Sequence, residues 1–278
     1  MANITASEVN KLRQMTGAGM MDCKHALVET DGDFEKAVDY LRKKGQKVAS
    51  KRADRDASEG IVIAKTSDDK TFSIVIMLNC ETDFVGKNQE FVDFANAIVN
   101  KGLADRISSI EDMKATIING RTVTEGITDL IGKTGEKMGL AHYECVKAPV
   151  TFAYNHHGNR LATIVGLNKV QVSGIEEIGH EIAMQVAAMN PVAIDKDDVD
   201  SHTVEREIEI GKEQARQEGK PEEMVEKIAL GKLQRFYKEN TLLNQEFIKD
   251  NKVTVGQFLR NADKELTVTA FKRFKLGE

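Results

Sequence analysis

The order strand, turn, strand, loop, helix is written twice in this chain, and that repetition limits what it can fold into more than any other feature. Residues 60–100 read as a strand (GIVIAKT), a turn (SDDK), a second strand (TFSIVIMLN), a short loop and a helix with Phe91, Phe94, Ala95 and Ile98 on one face. Residues 150–190 repeat the plan with VTFAY, NHHGN, RLATIVGLN, a loop, and a helix that aligns Ile178, Ile182 and Val186. Strands joined by short turns pair antiparallel. The expected core is therefore α+β and duplicated, with antiparallel sheets: one subdomain over residues 60–149, the other over 150–200 and 241–278. Between the repeats, residues 104–139 read as helical and 140–146 as a further strand, and 266–274 reads as the closing strand.

Two appendages flank this core. In residues 1–45, Thr5 and Glu8 have the spacing of a capping box, Val9 and Leu12 start an apolar stripe, and Gly17 suits a left-handed helix end. A second helix is expected over 20–29, then a turn at Asp31-Gly32-Asp33. Phe34, Ala37, Val38 and Leu41 mark a third helix, which Gly45 is expected to end. Three short helices make a marginal core, so this module reads as a recognition piece joined to something larger. Residues 201–240 read as a helix hairpin broken at Gly219-Lys220-Pro221, with Val204, Ile208 and Ala215 thinly facing Met224, Ile228 and Leu233. Such a seam has room for a further partner, either its own core or a second copy in a homodimer.

Residues 46–59 read as a basic linker. Over 42–55 there are seven Lys or Arg against one acid, Asp54. Either this is a solvated helix, or it meets RNA or an acidic partner. No aromatic residue lies between Tyr40 and Phe72 to offer a base a stacking platform. Over all 278 residues, 39 Lys and Arg stand against 44 Asp and Glu, a net charge of -5, which argues against a dedicated nucleic-acid binder, so no direct nucleic-acid contact is expected. Cys23, Cys80 and Cys145 are far apart, without a CxxC pair, as in a reducing, cytoplasmic setting. The longest apolar run, residues 74–78, is too short for a membrane helix, and MANITASEVNK lacks a signal-peptide pattern.

No motif for catalysis survives inspection. GITDLIGKT at 126–134 has five residues between its glycines where a phosphate-binding loop needs four. His180-Glu181 lacks a second His, because position 184 is Met184. Asp195, Asp197, Asp198 and Asp200 resemble a calcium loop only in charge, since the twelfth position is Arg206. His156 and His157 are adjacent in a turn and diverge. No nucleophile comes with a recognisable base. The chain is expected to be no enzyme and to hold neither cofactor nor metal.

What remains is Asn79-Cys80-Glu81-Thr82-Asp83-Phe84-Val85, between the second strand and the helix of the first repeat; the second repeat has Asn168-Lys169-Val170-Gln171 there instead. Phe84 and Val85 either cap the core or form a protruding contact beside a carboxylate. Three strings, LRQMTGAGMMDCK at 12–24, NCETDFV at 79–85 and HEIAMQVAA at 180–188, resemble the elongation factor Ts family, the guanine-nucleotide exchange factors of the translational GTPase elongation factor Tu. The resemblance spans essentially the whole chain. It implies an N-terminal three-helix module of ubiquitin-associated-like fold, and elongation factor Tu, GDP-bound or nucleotide-free, as partner. It further implies that Thr82, Asp83, Phe84 and Val85 contact that partner, with Phe84, supported by Asp83, inserting into the GTPase domain. By the same resemblance Arg13, Met20, Met21 and Lys24 touch the GTPase domain, and Thr134, Gly135, His157 and Gly158 meet the partner from the core.

Overall fold

Thr5 and Glu8 close their capping box in the computed structural model, which describes residues 4–278. The Thr5 amide donates to Glu8 Oε2 at 2.7 Å and the Glu8 amide to Thr5 Oγ1 at 3.3 Å. Helix α1 (Ala6–Thr16) ends at Gly17, whose φ of 68° is the left-handed conformation that glycine adopts without cost. α2 (Met20–Glu29) follows, and Asp33 caps α3 (Phe34–Lys51) by accepting from the Lys36 amide at 3.0 Å. Val9, Leu12, Cys23, Ala26, Leu27 and Ala37 are buried together between the three helices.

The next stretch is mixed. β1 (Glu59–Thr66), β2 (Phe72–Cys80), the single turn α4 (Asp83–Gly86) and α5 (Gln89–Ala104) lead to α6 (Ile110–Ala115). A two-residue ladder of β3 (Ile117–Ile118) and β4 (Arg121–Thr122) precedes α7 (Val123–Thr134) and β5 (Met138–Lys147). The sheet order is β1-β2-β5, and all nine residues of the central strand β2 are buried, the apolar run 74–78 together with the polar Ser73 and Asn79.

Two expectations need correction here. Residues 104–139 are not helical throughout, because Asn119-Gly120 forms the tight turn of the β3–β4 hairpin with φ of 52° and 79°, the pairing such a turn favours. Nor does Gly45 end α3, which continues to Lys51. Gly45 serves packing instead. A Cβ there would lie 3.1 Å from the Thr128 carbonyl oxygen and 3.4 Å from Gly132 Cα, so glycine lets α3 and α7 cross closely.

The chain then forms β6 (Val150–Asn155) and β7 (Leu161–Leu167), antiparallel with Val150 opposite Leu167 and Asn155 opposite Ala162. α8 (Ile175–Met189) lays Ile178, Ile182 and Val186 against this hairpin in one core with Phe152 and Val165. The acids near 195–200 act as caps: Asp195 accepts from the Lys196 amide at 2.7 Å and Asp200 from the Thr203 amide at 2.8 Å. α9 (Ser201–Gln217) and α10 (Glu222–Asn240) form the helix pair. Its seam differs from the expected one. Met224 is exposed, and the buried positions are Gly211, Ala215, Val225, Ala229 and Leu233. A Cβ on Gly211 would meet Ala229 Cα at 3.1 Å, so small residues bring the two backbones together. β8 (Glu246–Phe247), β9 (Asp250–Thr254), α11 (Val255–Ala262) and β10 (Val268–Lys275) complete the chain, with Phe247 stacked on Phe258 at 4.2 Å and a second sheet ordered β10-β7-β6.

The chain divides into two compact units. One holds the described residues up to Ile63, with Ile76–Glu144 and Phe274–Glu278; the other holds Ala64–Val75 and Cys145–Arg273. No helix of the described residues is long and apolar enough to cross a membrane.

Candidate partner-binding site

Where β2 runs out, the backbone turns through Thr82 into the four-residue helix α4, and the residues of that turn are placed by charge and by glycine. Gly86 closes α4 directly over Gly60: a Cβ on Gly86 would lie 3.2 Å from the Gly60 carbonyl oxygen and 3.5 Å from Cys80 Sγ. Thr82 is the helix cap. Its amide donates to Glu136 Oε2 at 3.1 Å and its hydroxyl to Glu136 Oε1 at 2.7 Å, so one carboxylate takes both donors of the residue on which the turn pivots.

Glu81 ties down the other flank. Its side chain is only 12% exposed and accepts from the Lys137 amide at 2.6 Å, from Arg52 Nη1 at 2.8 and 3.0 Å, and from Arg55 Nη1 at 3.3 Å. Lys137 in turn donates its Nζ to the Ala53 and Arg55 carbonyls, each at 2.7 Å, and Asn79 Nδ2 donates to the Ala57 carbonyl at 2.8 Å. The end of α3, the start of β5 and the β2–α4 turn are thus joined through one carboxylate. The Lys137 amide first, then the Arg52 and Arg55 guanidinium groups, hold the Glu81 carboxyl below its ordinary value.

A pH dependence follows from the sign of that shift. A carboxylate with a lowered folded pKa adds stability that is fully present above the unfolded value, about 4.3, and is lost as pH falls through the lower folded value. Thermal melts should therefore show Glu81→Gln as less stable than the parent at neutral pH, with the gap shrinking below about pH 4. A gap that stayed constant from neutral to acid pH would contradict this role.

On this anchored base the functional candidates separate clearly. Phe84 is 85% exposed, the most exposed of the large apolar side chains among the described residues, while Val85 is half-buried and Gly86 buried. Asp83 is half-exposed and paired with Lys87 Nζ at 2.6 Å, one turn further on; that hydrogen bond and charge hold its carboxyl low. Cys80 is buried. Burial first, then the carboxylates of Glu136 and Glu59, push its thiol up to about 12.

Thr134 and Gly135 belong to the same site. Thr134 Oγ1 donates to the Leu130 carbonyl at 2.9 Å and accepts from the Glu136 amide at 3.2 Å, and Gly135, with φ of 74°, caps α7 so that the next residue, Glu136, meets Thr82. Arg13, Met20, Met21 and Lys24 are exposed on α1 and α2, together with Met15. His157 and Gly158 are exposed in the β6–β7 turn, in the other compact unit. Sequence reasoning missed Glu81 as an anchor and Glu136 altogether. Glu136 is 54 residues from Thr82 and has no local pattern to mark it. Among the described residues no group of three or more His, Cys, Asp and Glu is arranged to hold a metal ion.

Known proteins are similar to this chain along its length. The family model described as Elongation factor TS matches residues 81–278. Elongation factor Ts of Christiangramia forsetii is 51% identical over 277 residues, covering 100% of both chains. That of Cytophaga hutchinsonii is 52% identical over 278 residues, again covering 100% of both, and that of Amoebophilus asiaticus is 50% identical over 274 residues, covering 99% of each. With the family model matching well over half of its length and full-length relatives at about half identity, the chain belongs to the elongation factor Ts family.

Proposed function

We propose that this protein is a guanine-nucleotide exchange factor for elongation factor Tu in translation elongation, and that Phe84 is the side chain through which it acts. The observation that carries the reading is a phenylalanine 85% exposed on a turn anchored on both flanks by Glu81 and Glu136. The backbone beneath this exposed ring is already held by its anchors, so docking has only the ring's own rotamers to fix, which suits a contact hot spot. Phe84, with Asp83 beside it, inserts between two helices of the GTPase domain. The elements that hold magnesium and the phosphates shift, GDP leaves, and GTP rebinds.

The energetics are those of linkage. A protein that prefers the nucleotide-free partner must weaken nucleotide binding by the same factor, tenfold for each ~1.4 kcal/mol. Burying one Phe ring supplies roughly 2–3 kcal/mol. The remainder comes from a wider interface: Thr82 and Val85 beside the ring, Thr134 and Gly135 at the end of α7, Arg13, Met20, Met21 and Lys24 on the N-terminal module, and His157 and Gly158 on the second hairpin. Flexible Met side chains suit such a surface. In this reading residues 1–45 are a ubiquitin-associated-like module, the two strand-strand-helix units are copies of one plan, and the hairpin 201–240 is available for a homodimer.

Reciprocity supplies the test. Titrated against elongation factor Tu, the protein should bind the nucleotide-free form more tightly than the GDP form, and by the same factor it should weaken GDP. Equal affinity for the two forms would overturn the exchange reading. Glu136→Ala removes both bonds to Thr82 and loosens the turn, so GDP release should fall about fivefold, equivalent to ~1 kcal/mol, with Phe84 still in place. Glu136→Gln keeps an acceptor for Thr82 and should lose less. Identical rates for Glu136→Ala and the parent would remove Glu136 from the mechanism.

A further inference from the structure

The outer face of α3 carries a groove lined by Tyr40, Lys43, Lys44, Lys47, Val48 and Lys51, four cations with no carboxylate among them. Lys43, Lys47 and Lys51 follow one another at i, i+4 and i+8, which stacks them along one ridge about 6 Å apart. Like charges at that spacing weaken a helix by ~0.2–0.5 kcal/mol per pair, so the ridge is maintained against helix stability. Lys44 of the groove itself and the cations outside it are used otherwise. Arg42 pairs with Asp39 at 3.4 Å, Lys44 with Asp22 at 2.5 Å, and Arg52 and Arg55 with Glu81. Tyr40 is 38% exposed beside the ridge, and Val48 is half-buried.

We propose that this groove binds the phosphate backbone of a single-stranded nucleic acid, with Tyr40 stacking on one base. The sequence has no aromatic residue between Tyr40 and Phe72, yet the helix brings Tyr40, one turn before Lys43 and Lys44, into the same groove as the lysines. That supplies the stacking surface a basic ridge needs to hold a strand rather than only attract it. The residue type also favours a strand over a folded acidic protein. Fixed carboxylates are best met by the planar fork of Arg, and the arginines here are so used, on Asp39 and Glu81. Flexible lysines act as point charges, which suits phosphates that need no fixed register. The net charge of -5 keeps the interaction modest, in the range of about 10⁻⁴ to 10⁻⁶ M typical of non-specific binding.

The test is fluorescence anisotropy of labelled oligouridylate and oligothymidylate with the full chain, from low to physiological salt. Log affinity should fall against log salt with a slope of about -2 to -3, as expected for three or four phosphates on a single strand. The variant Lys43→Gln/Lys47→Gln/Lys51→Gln keeps good helix formers; it should bind at least tenfold more weakly at low salt and lose about 2 from the slope. Tyr40→Leu should weaken binding about fivefold or more and leave the slope unchanged. The ratio of the two oligonucleotide affinities tells whether the natural strand is RNA or DNA. The proposal is overturned if neither oligonucleotide binds at low salt, or if the triple variant, still helical by circular dichroism, keeps the parental slope. It is equally overturned if the triple variant binds the oligonucleotides normally and instead loses affinity for elongation factor Tu, which would make the ridge a protein contact.

Discussion

Phe84→Ala should lower the acceleration of GDP release from elongation factor Tu about 30- to 150-fold while leaving the protein's own melting temperature unchanged. The magnitude is the burial free energy of one Phe ring, roughly 2–3 kcal/mol, converted at ~1.4 kcal/mol per tenfold. The thermal part follows from exposure. A ring 85% in solvent has almost no packing to lose in the free protein, and substitutions at such positions stay within about 0.5 kcal/mol. Phe84→Leu keeps an apolar contact and should fall between the two. A melting temperature lowered by several degrees in Phe84→Ala would mean that the ring packs on its own chain, contrary to its exposed position.

The second large effect lies beneath that ring. Gly60→Ala should cost about 3–4 kcal/mol and lower the melting temperature by roughly 6–15 °C. Gly60 has φ of 140°, and a Cβ there would stand 2.1 Å from the Leu78 carbonyl oxygen and 2.8 Å from Asn79 Cα. Both obstacles are backbone of β2, the fully buried central strand, so no side-chain rotation relieves them. Because Gly86 rests on Gly60, the Phe84 turn moves with it, and exchange should fall as well. Gly231→Ala is the control. It lies in α10, with nothing within 4 Å of a new Cβ, and should be neutral or stabilising by up to about 1 kcal/mol. Melting curves of the two variants beside the parent decide the matter, and equal midpoints for Gly60→Ala and the parent would contradict the packing described.

Which features were legible in the sequence follows from how far each interaction reaches along the chain. The capping box at Thr5 and Glu8, the left-handed Gly17 and the α2 span of 20–29 depend on neighbours within a few residues, and the structure has each of them. The buried run of β2 was plain from its apolar residues. Gly45 was misread because its meaning lies in Gly132 and Thr128, more than 80 residues away; locally a glycine after a helical stripe looks like an end. Asn119-Gly120 carried a turn signal that was lost inside a segment read as helical. In the helix pair, apolar spacing pointed to Met224, but Gly211 and Ala229 set the approach of the backbones and turned Val225 inward.

The site shows the same division. Phe84 beside Asp83 was visible as a string, and its two readings, buried cap or protruding contact, needed coordinates to separate. The anchors were not visible. Nothing near Glu136 announces Thr82, and nothing near Arg52 announces Glu81, 29 residues later. What makes the turn rigid is therefore tertiary, although what it presents is local.

The most direct measurement is stopped-flow release of a fluorescent GDP from elongation factor Tu as the concentration of this protein is raised. The release rate should climb and then saturate well above the spontaneous rate, because the complex with the factor bound holds GDP less tightly. A release rate that stays at the spontaneous value at every concentration, with the protein folded, would contradict it.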